Sequence, residues 1–243
     1  MELEPAADLG NSYGINNLAV YYLNEIVTNI NKQKAFELCQ KAADLGNSYG
    51  INNLAVYYLN EIVTNINKQK AFELCQKAAD LGNSYGINNL AVYYLNEIVT
   101  NINKQKAFEL FQKAADLGNS YGINNLAVYY LNEIVTNINK QKAFELCQKA
   151  ADLGNSYGIN NLADCYSIGI GTNIDEQKAF ELYQKAADLG NPFGIFNLSH
   201  CYLNGIGTNI DEQKAFELHS KARNLENTSE IFNLAVFGND LKC

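Results

Sequence analysis

The chain has 243 residues, of which 47% are hydrophobic and 18% charged, and its formal net charge at pH 7 is −8. These values are typical of a globular protein and exclude a disordered one. The negative charge disfavours a nucleic-acid backbone or an anionic membrane surface as the main partner. No stretch approaches the ~20 apolar residues that a membrane-spanning helix needs. The N-terminal residues lack the apolar run of a signal peptide, so we expect a cytoplasmic protein.

A repeated sequence of 36 residues organises the chain, because Ala-Asp-Leu-Gly-Asn recurs at this interval from Ala7 to Ala187. Units of this kind cannot bury their apolar faces alone and must stack on their neighbours. We predict a stub of helix B at 1–6 and a partial copy at 223–243 that contains only a helix A. The six predicted repeats between them are 7–42, 43–78, 79–114, 115–150, 151–186 and 187–222.

Two helices are predicted in each repeat. In the first copy, helix A spans about Ser12–Leu23 and helix B about Lys32–Leu45, each with apolar residues at i, i+3, i+4 and i+7. Gly46 suits the left-handed residue that ends a helix, and Asn47 can cap the helix that follows. The predicted fold is therefore an all-α solenoid.

The sequence NLSHCYLNGIGTNIDEQKAFEL at 197–218 resembles the Sel1-like repeat. It is most similar to the repeats in the long arrays of arbuscular mycorrhizal fungi. The resemblance covers essentially the whole chain. It implies a right-handed α-solenoid of helix-turn-helix units, related to HCP-like and tetratricopeptide arrays, that serves as an adaptor in signalling. Such arrays often follow a protein-kinase-like domain. An alternative is therefore that this chain is the regulatory fragment of a kinase-like protein whose catalytic domain lies elsewhere.

The loop between the helices departs from this family pattern in four of the six repeats. Gly169 and Gly171 form the Gly-x-Gly element of repeat five, and Gly205 and Gly207 form that of repeat six. Repeats one to four carry Glu and Val at these positions, and a non-glycine residue at positive φ costs ~1–2 kcal/mol. We therefore expect a rearranged loop in which Asn24 and its equivalents take the left-handed position.

No constellation of residues indicates catalysis. The Gly-Ile-Gly-Thr segments lack the Lys-Ser/Thr of a phosphate-binding loop and lie between helices, so we predict turns there. His200 and His219 are the only histidines, and neither adjoins a nucleophile with an acidic partner or the three or four ligands of a zinc site. We expect a non-enzymatic protein with no metal and no cofactor.

The six cysteines fall at different positions of the repeat. Cys39, Cys75 and Cys147 lie in helix B, Cys165 and Cys201 lie in helix A, and Cys243 is the last residue. Secreted relatives link the two helices of one unit through a disulfide, but no full unit here contains both cysteines. We therefore expect buried, reduced thiols and no disulfide-linked partner. Cys147 and Cys165 flank one unit boundary. If any two cysteines form a disulfide, we expect it to be this pair.

The acidic residues concentrate in the last third of the chain. Asp164, Asp175, Glu176, Asp211 and Glu212 carry most of this charge. Acids that stabilise helix N-termini explain most of them. A patch for a basic partner is the other possibility, and the sequence leaves both open.

The partner-binding site is predicted on the face of helix A opposite its apolar stripe. Tyr offers a large contact area, Asn can bind an extended peptide backbone, and stacking aligns the copies. An equally favoured interpretation is that these Tyr side chains pack between neighbouring repeats and bind no partner. We expect a protein or peptide partner, with no nucleic acid and no membrane. The residues are Tyr13, Asn17, Tyr49, Asn53, Tyr85, Asn89, Tyr121, Asn125, Tyr157, Asn161, Phe193 and Asn197.

Overall fold

The structure is a computed structural model, and it describes residues 10–23, 31–60, 65–96, 99–132 and 139–228. Those residues form twelve α-helices and no strand, which confirms the predicted all-α fold. None of the helices in these ranges is long and apolar enough to cross a membrane. The copies of helix A are α1 (Ser12–Leu23), α3 (Ser48–Leu59), α5 (Ser84–Leu95), α7 (Ser120–Leu131), α9 (Ser156–Ile168) and α11 (Pro192–Asn204). The copies of helix B are α2 (Lys32–Asp44), α4 (Lys68–Asp80), α6 (Lys104–Asp116), α8 (Lys140–Asp152), α10 (Glu176–Asp188) and α12 (Glu212–Thr228).

The contacts between helices divide the described chain into two compact units, one up to Ala114 and the other from Ala115 onward. In the first unit, α1 packs on α2, α2 on α3, α3 on α4 and α4 on α5. In the second unit, the helices from α7 to α12 pack in the same consecutive order. Each unit is therefore a stack of helical hairpins, as predicted for repeats that bury their apolar faces against neighbours.

Successive A helices also contact one another. In the first unit α1 packs on α3 and α3 on α5, and in the second unit α7 packs on α9 and α9 on α11. In their described residues, the B helices α2 and α4 of the first unit make no equivalent contact with each other, and neither do α8 with α10 or α10 with α12 in the second unit. Within each unit, the A helices therefore form a closely packed layer, which we call the A layer.

The helix boundaries follow the predicted local chemistry. Gly46 has φ +78°, which is the left-handed conformation that glycine adopts without steric cost. The Asn47 side chain accepts a hydrogen bond of 2.9 Å from the backbone N–H of Gly50, which caps α3. Gly50 also allows α3 to lie close to α2, since an added Cβ would be only 2.6 Å from the Cβ of Ala42. The predictions for Gly46 and Asn47 are confirmed.

The core runs between the helices of each hairpin and onto the next one. Ile51 and Ala55 of α3 and Ala42 of α2 are fully buried. The ring of Phe36 in α2 meets the ring of Tyr57 in α3 edge-on, with 5.4 Å between centroids. Aromatic pairs in this geometry stabilise a core by ~0.5–1.5 kcal/mol beyond the area they bury.

The prediction for the loop asparagines is wrong wherever the structure describes them. Asn60, Asn96 and Asn132 have φ of −103°, −109° and −111°, so none is left-handed. Helix A ends at the residue before each of them, and the chain leaves without a positive-φ residue at that position. The left-handed residues Gly169 and Gly205 instead end α9 and α11. Asn24 and the Glu/Val positions at 25, 27, 61, 63, 97, 133 and 135 lie outside the described residues.

The two kinds of loop nevertheless join helix B by the same hydrogen bond. The backbone N–H of Asn67 donates to the carbonyl of Tyr58 at 2.7 Å, and Asp175 donates to Tyr166 at 2.9 Å. Asn67 and Asp175 also cap the following helices through their side chains. The start of helix B is thus fixed relative to the end of helix A, whichever loop connects them.

Candidate functional site

The aromatic residues of the predicted site lie on the A layer and are solvent-accessible to different degrees. Tyr13 is 62% exposed, Tyr49 44% and Phe193 49%. The other three members, Tyr85, Tyr121 and Tyr157, are half-buried. In the second unit the rings of Tyr157 and Phe193 lie 6.3 Å apart, so stacking does place equivalent side chains side by side. We call the aromatic residues of each unit its aromatic ladder, which comprises Tyr13, Tyr49 and Tyr85 in the first unit and Tyr121, Tyr157 and Phe193 in the second.

Four asparagines of the predicted site form hydrogen bonds between neighbouring A helices. The side-chain amide of Asn53 donates to Asn16 at 3.1 Å, and that of Asn89 donates to Asn52 at 2.9 Å. In the second unit Asn161 donates to Asn124 at 2.9 Å, and Asn197 donates to Asn160 at 3.0 Å. The same hydrogen bond therefore recurs between consecutive A helices of each unit.

Burial separates these asparagines into two groups. Asn53 and Asn89 are buried, and their amides face a neighbouring helix. Asn17 is exposed, whereas Asn125, Asn161 and Asn197 are half-buried. A buried amide that already bonds to a neighbour cannot bind a peptide from solvent without breaking that bond. The first group therefore holds the A layer together.

Sequence reasoning missed the acceptors of these hydrogen bonds. Asn16, Asn52, Asn124 and Asn160 are buried, with at most 7% of each residue exposed. The signal was present as an Asn-Asn pair in each of the first five repeats. A polar pair at the same place in every copy is the pattern expected when one residue donates to the preceding repeat and the other accepts from the next.

The fifth repeat adds a carboxylate to this layer. Asp164 stands where the first four repeats have Val, and its Oδ1 accepts a hydrogen bond of 2.6 Å from the hydroxyl of Tyr183. The amides of Asn160 and Asn197 approach the same carboxylate at 3.3 and 3.4 Å. Burial raises the pKa of Asp164, and the hydrogen bond from Tyr183 lowers it in part. Asp164 is therefore part of the interior of the stack.

The other acidic residues of this part of the chain, Asp175, Glu176, Asp211 and Glu212, lie at the starts of helices. The side chains of Asp175 and Asp211 accept hydrogen bonds from the backbone N–H groups of Lys178 and Lys214, at 3.0 and 2.9 Å. Glu176 and Glu212 lie in the first turns of α10 and α12, where the helix dipole favours a negative charge. These contacts support the interpretation of the acids as helix N-terminal residues.

The two histidines lie at the last described hairpin, between α11 and α12. A cleft of about 350 Å³ is lined by His200, His219, Leu203 and Phe216. The ring of Phe196 is 4.6 Å from that of His200 and 5.6 Å from that of His219. No cluster of three or more metal-ligating side chains occurs within the described ranges. Aromatic packing explains the position of both histidines.

The glycine loops of repeats five and six are turns between helices, as predicted. Gly171 has φ +67°, and a Cβ at this position would lie 2.4 Å from the carbonyl oxygen of Lys140 at the start of α8. Gly207 similarly approaches the start of α10. The missing side chain is needed both for the backbone conformation and for contact with the preceding hairpin.

These features define a protein built from stacked helical hairpins, in which the same hydrogen bond recurs between consecutive A helices of each unit. The Sel1 repeat model matches six consecutive segments, at 12–47, 48–83, 84–119, 120–155, 156–191 and 192–227. The chain belongs to the Sel1 repeat family, whose members are generally protein-interaction scaffolds. None of the curated proteins compared with the chain matches it.

Several solved structures share this fold. A Sel1 repeat protein from Oxalobacter formigenes is 22% identical, with a TM-score of 0.73 and coverage of 89% of each chain. A protective antigen of uropathogenic Escherichia coli is 24% identical, with a TM-score of 0.65, and 92% of our chain spans 48% of it. Immunity protein Pa5087 from Pseudomonas aeruginosa is 21% identical over 94% of our chain and 88% of its own, with a TM-score of 0.61. These comparisons show the fold. They do not support the resemblance to the arrays of arbuscular mycorrhizal fungi.

Proposed function

We propose that the chain is a non-enzymatic scaffold that binds a protein or peptide along the aromatic ladder of the A layer. The observation that carries the proposal is that Tyr13 and Tyr49, in consecutive A helices, are each exposed by more than 40%. Aromatic rings supply a large contact area at low entropic cost. Family membership supports the same kind of function.

In each unit, the proposed contact surface comprises the aromatic residues of its own A helices and the accessible asparagines, which are Asn17 in the first unit and Asn125, Asn161 and Asn197 in the second. Asn53 and Asn89 are left out because they are buried and bonded within the A layer. Cytoplasmic localisation belongs to this proposal as well. The kinase-related alternative stays a prediction, because no structural observation favours it.

The proposal can be tested with a peptide selected from a randomised phage-displayed library and titrated by fluorescence anisotropy. Tyr13→Ala combined with Tyr49→Ala should weaken binding at least ~10-fold, because exposed aromatic residues often dominate interface energies. The matched control is Leu45→Ala with Leu81→Ala. These leucines are 52% and 53% exposed but lie at the ends of α2 and α4. The control should bind like wild type.

Urea unfolding must accompany the titration. Substitutions of exposed residues usually change stability by no more than ~0.5 kcal/mol each, so both double variants should unfold close to wild type. Equal weakening by the two variants, or a loss of binding that follows a loss of folding, would contradict the proposed surface.

A further inference from the structure

In α2, α4, α8 and α10, a side chain at an equivalent position packs against one of the following helix A. At two boundaries the pair is Cys39 with Tyr57 and Cys75 with Tyr93, and all four residues are fully buried. The nearby cysteine adds to the effect of burial in raising the pKa of each tyrosine. Each of these boundaries therefore combines one small and one large side chain.

The boundary between α10 and α11 keeps this combination with the sizes exchanged. Tyr183 of α10 takes the helix B position and Cys201 of α11 the helix A position, and they are 5% and 2% exposed. Tyr183 directs its hydroxyl to Asp164. Volume is thus conserved although the residues are swapped, as expected for a densely packed interior.

The boundary between α8 and α9 is different because both residues are cysteines. Cys147 and Cys165 are fully buried and face each other where these two helices pack. The two thiols lie close enough for each to shift the pKa of the other, upward for Cys147 and downward for Cys165. Among the boundaries described above, two thiols meet only here.

We propose that Cys147 and Cys165 form a reversible disulfide that links α8 to α9, with a small-molecule disulfide such as oxidised glutathione as the oxidant. One thiolate attacks the oxidant, forms a mixed disulfide and releases one glutathione thiol. The second thiolate then attacks the mixed disulfide and releases the other. In total the protein loses two protons and two electrons, and one oxidised glutathione becomes two reduced molecules. This modification site is separate from the aromatic ladder.

The surroundings of the pair determine how it reacts. The hydrogen bond between the two thiols, followed by burial, raises the pKa of Cys147, whereas the same bond lowers the pKa of Cys165. Since both sulfurs are buried, the oxidant reaches them only when the α8–α9 contact opens locally. We expect slow oxidation that accelerates in urea concentrations below the unfolding transition.

The test is native oxidation of the full chain with glutathione, followed by alkylation, digestion without reduction and mass spectrometry. We expect one cross-linked product that joins the peptides of Cys147 and Cys165 and disappears after reduction. Cys39, Cys75 and Cys201 serve as internal controls, because the first two pack against tyrosines and the third against Tyr183. They should be alkylated once the protein is denatured.

A variant and an equilibrium measurement complete the test. Cys165→Tyr recreates the Cys–Tyr pair of the earlier boundaries and should abolish the link. If this variant does not fold, the wild-type protein still decides the matter in glutathione redox buffers. The native chain should form the link at a ratio of oxidised to reduced glutathione at least tenfold lower than the urea-unfolded chain requires. This difference corresponds to a reduction potential about 30 mV lower in the native chain. Equal native and unfolded ratios, the absence of the link, or a link through another cysteine would overturn the proposal.

Discussion

The hydroxyl groups of buried tyrosines show how single residues differ between repeats that have nearly the same backbone. The hydroxyls of Tyr57 and Tyr93 are buried without a hydrogen-bond partner among the described residues. The hydroxyl of Tyr183 donates to Asp164 at 2.6 Å. An unpaired buried polar group reduces stability, whereas a hydrogen bond to a charged group contributes ~1.5–3 kcal/mol.

This contrast predicts opposite effects for one chemical change. Tyr57→Phe should leave the free energy of unfolding unchanged or raise it by up to ~1 kcal/mol, because it removes an unsatisfied hydroxyl. Tyr183→Phe is the matched control and should lower it by ~1–3 kcal/mol. Urea unfolding followed by circular dichroism measures both. A clear loss of stability in Tyr57→Phe would show that its hydroxyl has a partner.

Asp164 gives a second prediction, which concerns pH. Because burial raises its pKa in the folded state, the folded chain binds a proton more readily than the unfolded one. Its contribution to stability is therefore fully present below the unfolded pKa of about 3.9 and is lost as pH rises through the folded pKa. Relative to Asp164→Asn, wild type should gain stability as pH is lowered from 7 toward 4. A difference between the two that does not vary with pH would contradict the raised pKa.

At the scale of helices and loops, the glycines of repeat five separate two physical effects. Gly154 has φ +77° and nothing within 4 Å of an added Cβ, so Gly154→Ala tests backbone strain alone. Gly171 has φ +67° and also touches the backbone of Lys140. We expect Gly154→Ala to cost ~1–2 kcal/mol and Gly171→Ala a further ~1–3 kcal/mol for the steric conflict. Equal losses in urea unfolding would mean that the loop moves away from α8 at little cost.

Helix ends could be predicted from sequence where local chemistry determines them. Gly46 and Asn47 act within one turn of the chain, so their residue types were sufficient. The prediction for Asn60 failed because it assumed that a rearranged loop still needs a left-handed residue at the end of helix A. In the structure α3 ends at Leu59, and Asn60 keeps a negative φ that any residue tolerates.

The site was less predictable than the helices for a geometric reason. A helical wheel treats the face opposite the apolar stripe as solvent-exposed, but α3 packs on α2 and α4 and also on α1 and α5. This crowding buries Asn53, which we predicted on the accessible face of helix A. Tyr13 and Tyr49 stay accessible despite it. Which positions of one helix are covered by its neighbours depends on packing that periodicity does not encode.

At the scale of the whole molecule, the repeat architecture makes the effect of a substitution depend on its place in the array. In such proteins stability is approximately a sum of repeat terms and nearest-neighbour terms. Gly86 in the third matched repeat and Gly194 in the sixth provide a matched pair for testing this. An added Cβ would lie 2.6 Å from the Cβ of Ala78 in one case and of Ala186 in the other.

The local conflict is therefore the same in both variants, at about 1–3 kcal/mol, and only the position differs. Gly86→Ala weakens a contact between α4 and α5 that has further hairpins before and after it in the chain, so it should broaden the urea transition. Gly194→Ala affects the last described hairpin and should mainly increase hydrogen exchange in α11 and α12, leaving the main transition close to wild type. Identical single shifts of the whole transition in both variants would mean that the array unfolds as one cooperative block, because strong coupling then distributes every local loss over all repeats.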